Sequence, residues 1–243
     1  MEFNHKLINE NKKKIWNKKK IIRKIYFEYY KLIKLYLIKG QTLEIGSGLG
    51  KIKEVILDCI TSESFLDDKI DIKENVYNLS FKDCSIENIV MLDVIHHLEY
   101  TGSAFREIKR VLKTKGRLIM IEPAMGLIPR ILFYFFHHEP NGFNYKINFN
   151  EFAYKENNHN QYFSAQSIPW RLFYKNEIRN IEGFKVIKSF SFSDFRYILS
   201  GGFKYHSFYP YYLYNLINYL DVFLTFLSKS FFSARMIVVL EKK

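Results

Sequence analysis

Short apolar runs alternate with amphipathic stretches along most of this chain, the pattern of strands joined through helices. Between residues 12 and 38, Ile22, Ile25, Tyr29, Leu32 and Tyr36 recur every three or four positions, predicting one helix with a single apolar face. Thr42–Ile45 reads as a buried strand, Ile52–Cys59 as a short helix and Ile60–Glu63 as a second strand. Ile72–Tyr77 and residues 89–92 give two more strands. In Ala104–Leu112 a helix gathers Phe105, Ile108, Val111 and Leu112 on one face; Lys113–Gly116 turns, and Arg117–Ile121 is a fifth strand. A helix over Ser167–Asn180 and strands over Phe184–Phe192 and Arg235–Leu240 complete the pattern.

Two stretches do not fit it. Residues 124–166 hold the very apolar run Met125–Phe136, then His137-His138-Glu139-Pro140 and an Asn-rich loop. Residues 194–233 separate the last two strands and carry 12 aromatics between 203 and 232. Tyr211–Phe232 is interrupted by Asn215, Asn218 and Asp221, so it reads as an amphipathic helix and not a membrane span. It is expected either to pack against the N-terminal helix or to present a greasy acceptor-side or membrane-facing surface.

The chemistry concentrates at Gln41–Lys51, QTLEIGSGLGK. Gly46, Gly48 and Gly50 follow the first strand, where glycine lets the backbone turn tightly and approach a ligand. A nucleotide site at the carboxyl end of that strand is expected. A dinucleotide fingerprint needs glycine at the sixth position of G-x-G-x-x-G, and Lys51 stands there. The expected ligand is therefore not NAD.

The pattern E-I-G-S-G-x-G resembles motif I of class I S-adenosylmethionine-dependent methyltransferases. Asp93-Val94-Ile95-His96-His97-Leu98 matches the family's D-V-L-H-H-L, and Lys113–Gly116 its L-K-P-G-G turn. The likeness is continuous over about residues 41–123. With F-H-H-E-P and a terminal I-V-V-L-E-K, the whole layout resembles type 11-like methyltransferases found in bacterial surface-polysaccharide gene clusters. The resemblance implies an α/β, Rossmann-like, seven-stranded doubly wound sheet with the seventh strand inserted antiparallel. An N-terminal helix (1–40) precedes a methyltransferase domain (41–243) with insertions at about 124–166 and 194–233. S-adenosylmethionine is the implied cofactor, with Glu44, Gly46, Ser47, Gly48, Gly50, Glu63, Asn75, Val76 and Asp93 as the residues around it. Glu63, 17 positions after Gly46, is expected to hold the ribose hydroxyls, with Asp67 and Asp68 as competitors. Asn75 replaces the family's usual acid near the adenine, and Ser80 its proline.

Charge adds an asymmetry. The net charge is +12, and residues 1–40 carry 12 lysines and arginines against three acids. The arm is thus either a solvated basic helix face, a contact to anionic membrane or an RNA anchor. Cys59 and Cys84 are isolated, which fits a reducing cytoplasm and no disulfide framework. A cytoplasmic enzyme, peripheral at the inner membrane face if the arm binds lipid, is the expectation.

Transfer to a hydroxyl needs alignment and a base for its proton. His96, His97, His137 and His138 are the candidate bases, and Glu122 or Glu139 would orient one of them or bind sugar hydroxyls. No metal-ligand spacing stands out, and adjacent histidines are expected to point apart. The leading expectation is O-methylation of a saccharide or lipid-linked small molecule. An RNA methyltransferase and a non-catalytic methyltransferase-fold partner are the alternatives.

Overall fold

A computed structural model describes residues 2–65, 68–136, 139–149, 163–177 and 181–243, with side chains from Asn9 onward. His137, His138 and Asp67 lie outside the described residues.

Seven strands form one sheet in the order β3-β2-β1-β4-β5-β7-β6. They are β1 (Thr42–Ile45), β2 (Cys59–Glu63), β3 (Ile72–Lys73), β4 (Ile86–Leu92), β5 (Leu112–Pro123), β6 (Phe184–Ser193) and β7 (Ser233–Lys242). β1 pairs in parallel with β2 and β4, and β4 with β5. β7 runs antiparallel between β5 and β6.

The central strands are buried on both faces, so they read as unbroken apolar runs. Alternation still sorts their side chains. Ile89, Met91, Leu118, Met120, Met236 and Val238 face one core, beneath α3 (Thr101–Val111) and α5 (Ile168–Phe173). Val90, Leu92, Ile119, Ile121, Ile237 and Val239 face the other, beneath α2 (Lys20–Lys34).

The N-terminal segment is two helices rather than one. α1 (Glu2–Lys18) ends where Lys19 adopts an extended backbone, and α2 begins at Lys20. The Lys19 ammonium donates to the carbonyls of Ser200, Gly202 and Tyr205, which ties this break to the second insertion. α2 buries Ile21, Ile22, Ile25, Tyr29, Tyr30 and Ile33. It packs with Ile52, Ile56 and Cys59, covering this face of the sheet itself. The crossover from β1 to β2 then needs only a 3-10 turn, Lys51–Glu54, in place of the expected helix.

The third strand stops after two residues. Asn75 Oδ1 accepts from the Tyr77 amide at 3.0 Å, and Glu74 takes the Ser80 amide at 2.9 Å, so local turns take over the backbone. The helix expected over 167–180 is shorter, ending at Phe173. α4 (Leu127–Phe136) lies in the first insertion. The second insertion contains α6 (Phe195–Leu199), α7 (Tyr214–Leu227) and α8 (Lys229–Phe232).

Candidate active site

β1 and β4 are neighbours, while the chain leaves them in opposite directions across the sheet. The crevice outside their carboxyl ends is where an open α/β sheet takes a ligand. The glycine loop follows β1 and Asp93 follows β4. Gly46, Gly48 and Gly50 all have positive φ, at +71°, +56° and +62°. A Cβ on Gly46 would lie 2.6 Å from Val94, so that glycine lets the loop meet the turn that carries His96. A Cβ on Gly48 would meet nothing within 4 Å. The loop backbone thus faces open space there, the cradle a nucleotide needs.

Glu63 ends β2 and reaches over this loop. Its Oε1 accepts from the Gly48 amide at 2.7 Å, which places a carboxylate at the cradle's edge. Ser47 braces the loop from below, its hydroxyl donating to the Glu44 carbonyl and accepting from the Ser62 amide. Val76 packs into the core, and the Asn75 side-chain oxygen closes its own turn. Residues at the ends of three neighbouring strands therefore converge on one crevice, and they fit a nucleoside with ribose hydroxyls.

Glu44 is on the opposite side of its strand from Leu43 and Ile45, buried beneath α2 at 1% exposure. Its Oε2 has no hydrogen-bond partner, and burial pushes its pKa up to about 8. The folded protein therefore favours the protonated carboxyl. In the ligand-free protein that preference adds stability below about pH 4.5, and the stability is lost as pH rises towards 8. Glu44→Gln should flatten this slope and raise the urea midpoint at pH 8 relative to wild type. An unchanged slope would show the carboxyl to be ionised when folded.

Asp93 sits at φ +60° at the end of β4. Its carboxylate accepts a hydrogen bond from Arg235, a side chain 4% exposed on β7. Arg235 also lies 3.7 Å from Asp194 and over the ring of Tyr197. Asp194 in turn accepts from Tyr29 of α2 and from Arg196 at 3.2 Å. Asp221 completes the chain, accepting from the Arg196 amide, and its pKa is raised to about 6 by burial and then by Asp194. Sequence reasoning missed Arg235. A charged residue amid the apolar run of the last strand is its one signal.

The histidines follow in a 3-10 turn, Ile95–His97. Glu122, at the end of β5, accepts from the amides of Val94 and Ile95 at 2.8 and 2.7 Å and pairs with His96 Nδ1 at 2.8 Å. His96 Nε2 lies 3.8 Å from Glu139, brought there by the first insertion. Burial opposes charge on His96, but Glu122, with Asp93 and Glu139 behind it, outweighs burial and raises its pKa.

The two histidine rings do not diverge as expected. Their centroids are 4.1 Å apart with the ring planes tilted by 43°, because the tight turn brings consecutive side chains together. Nitrogens and carboxylate oxygens of His96, His97 and Glu139 fall within 4.8 Å of one another, as do those of Asp93, His96 and Glu122. His97 Nδ1 lies 3.2 Å from the Phe163 carbonyl. A carbonyl only accepts, so Nδ1 carries the proton and the lone pair is on Nε2. Burial, then the neighbouring His96, lowers the His97 pKa to about 4. His97 is thus neutral at ordinary pH.

Glu139 is held by Ser164 and Gln166 and borders a cavity of about 680 Å³. Arg130, Phe133, Asn141, Phe143 and Tyr145 also line it. None of the residues that line this cavity belongs to the glycine loop.

Residues 43–120 match the family described as a methyltransferase domain. This region is a class I S-adenosylmethionine-dependent methyltransferase domain. S-adenosylmethionine is accordingly its cofactor. No curated protein matches the sequence. Among solved structures, the chain is similar to a S-adenosylmethionine-dependent methyltransferase from Thermotoga maritima, described as a possible histamine N-methyltransferase. The identity is 19%, 98% of each chain is covered and the TM-score is 0.57. A S-adenosylmethionine-dependent methyltransferase from Archaeoglobus fulgidus shares 13% identity over 90% of this chain and 94% of its own, with a TM-score of 0.51. At these identities the likeness is one of fold.

On this cradle, Glu63→Ala should weaken S-adenosylmethionine binding by about 1–3 kcal/mol, the cost of losing a charged hydrogen-bond partner. Calorimetry on the purified protein measures it. Asp68→Ala should cost much less; the reverse order would remove Glu63 from the ribose.

Proposed function

We propose that this protein transfers a methyl group from S-adenosylmethionine to a hydroxyl of a saccharide or lipid-linked small-molecule acceptor. The observation that carries this reading is neutral His97, its lone pair on Nε2, in the turn after β4 and with a ring nitrogen within 4.8 Å of a carboxylate oxygen of Glu139, which lines the cavity. When bound, the cofactor supplies an electrophilic methyl on a sulfonium. The protein's own part is to position the acceptor and take its proton. His97 is the base, because it is uncharged and accepts at Nε2. His96 is a positioning residue: Glu122 fixes its ring from one side, and Glu139 faces it from the other.

The cavity supports the acceptor class. Phe133, Phe143 and Tyr145 offer ring faces, while Asn141, Arg130 and Glu139 offer donors and acceptors. Sugars are recognised by that mixture of apolar faces and paired polar groups. The arm, by contrast, spends several cations on internal bonds: Lys19 on three carbonyls, Lys34 on Val55 and Lys24 on Asn215. That favours a small acceptor over RNA.

Calorimetry should show binding of S-adenosylmethionine and no binding of NAD. Mass spectrometry of surface glycans and lipid-linked intermediates, from cells with and without the gene, should find a species heavier by one methyl group only when the gene is present. A methylated RNA nucleoside as the gene-dependent product would overturn the acceptor.

A further inference from the structure

α7 is turned inside out relative to an ordinary surface helix. Its polar residues point into the protein and are bonded there. Asp221 accepts from the Ser193 hydroxyl and the Phe195 amide, each at 2.7 Å. Asn218 accepts from Arg196 at 2.7 Å, and Thr225 from the Ser193 amide at 2.8 Å. Asn215, exposed at the start of the helix, accepts from Lys24 of α2 at 3.0 Å. The polar side thus fixes the helix's rotation. Leu216, Tyr219, Leu220, Phe223, Phe226 and Leu227 are left outside, 45–90% exposed. The arm does not cover them.

This stripe continues sideways. α8 packs against both α7 and α4. At the end of α4, Tyr134, Phe135 and Phe136 are 68–74% exposed. An apolar face of this extent exceeds the scattered exposure normal for a soluble surface and marks a docking site.

Charge selects the occupant. Across residues 195–232 Asp221 is the sole acid, and it is buried. Residues 124–136 contain none. Lys204 and Lys229 are exposed, and Lys188 joins Lys229 along a groove at the carboxyl end of α7. Within residues 124–136 and 195–232 the face is therefore apolar and aromatic, and the exposed charges these two segments bring to it are cations. A second copy docked through the same face would offer these lysines no acid from either segment to pair with. A surface of anionic headgroups over acyl chains meets both features at once: aromatic side chains enter the interface, and lysines meet the headgroups. We infer that the α4–α7–α8 face is a peripheral docking surface for anionic membrane, with α7 lying along it. Among the described residues no helix is long and apolar enough to cross a membrane, so the contact is one of lying on the lipid. The inference stands on the surface alone and does not depend on the methyl acceptor.

The test is sedimentation of the full chain with vesicles of phosphatidylcholine alone or mixed with phosphatidylglycerol. Binding should be strong to the mixed vesicles, weak to the neutral ones, and reduced by salt. The double variant Phe223→Ser/Phe226→Ser should lower partitioning by about tenfold or more. Both side chains are exposed, so its thermal midpoint should not fall. Lys204→Glu/Lys229→Glu should lower binding several-fold on the anionic vesicles only. Wild-type binding equal to the phenylalanine variant, or equal on both vesicle types, overturns the inference. So does a dimer in light scattering that the same variant dissolves, which would give the face to a second copy.

Discussion

Replacing His97 with glutamine is expected to slow methyl transfer by about a hundredfold to ten-thousandfold, the usual contribution of a positioned base. Glutamine keeps a hydrogen-bonding side chain of similar reach but takes no proton. Donor affinity should stay unchanged, because the cradle is built from the glycine loop and Glu63. The pH dependence separates this role from a structural one. Burial and the adjacent His96 hold the His97 pKa near 4. The base is therefore competent across the neutral range and loses competence only as pH falls towards 4. Activity should lack the acid limb near pH 6.5 that an ordinary histidine gives. His97→Gln with undiminished turnover would remove His97 from the chemistry, and a limb near 6.5 would place the essential base in a more exposed setting.

Arg235→Met is expected to destabilise the fold by about 3–5 kcal/mol, the range for breaking a buried ion pair from one side. Methionine keeps much of the volume, so the loss is mainly electrostatic. Arg235 sits between Asp93, at the crevice, and Asp194, which is fully buried and bonded to Tyr29 of α2. Removing the guanidinium leaves the Asp93 carboxylate without this partner and leaves Asp194 with Arg196 as its remaining cation. Urea unfolding measures the effect. Adding Asp93→Asn to Arg235→Met should recover part of the loss, because one uncompensated charge disappears. Strictly additive losses in that cycle would show that the two side chains do not interact. The same network joins α2, the second insertion and the end of β4. The N-terminal helices thus belong to the cooperative unit that shapes the site.

Much of the fold was legible in the chain itself. Buried strands announce themselves as short apolar runs, and the G-x-G-x-G loop marks the end of the first because only glycine takes its positive φ without strain. Asp93 and Glu63 could be placed because a strand end fixes a residue's height in the crevice. Boundaries were less legible. The sequence shows one continuous helical face from 12 to 38, but the break at Lys19 depends on carbonyls at 200–205. The crossover helix after the glycine loop gave way to a single turn, with α2 packed on that face.

What the sequence alone determined is the order of elements, the methyltransferase domain and the nucleotide cradle, all of which rest on local pattern and on residues close in the chain. Tertiary structure decided which distant side chains meet. Glu139 reaches His96 across 43 positions, and Arg235 reaches Asp93 across 142. It also decided which side of α7 faces out. A helical period shows that a helix has two faces. Only the partners waiting at Arg196 and Ser193 determined that the polar one turned inward.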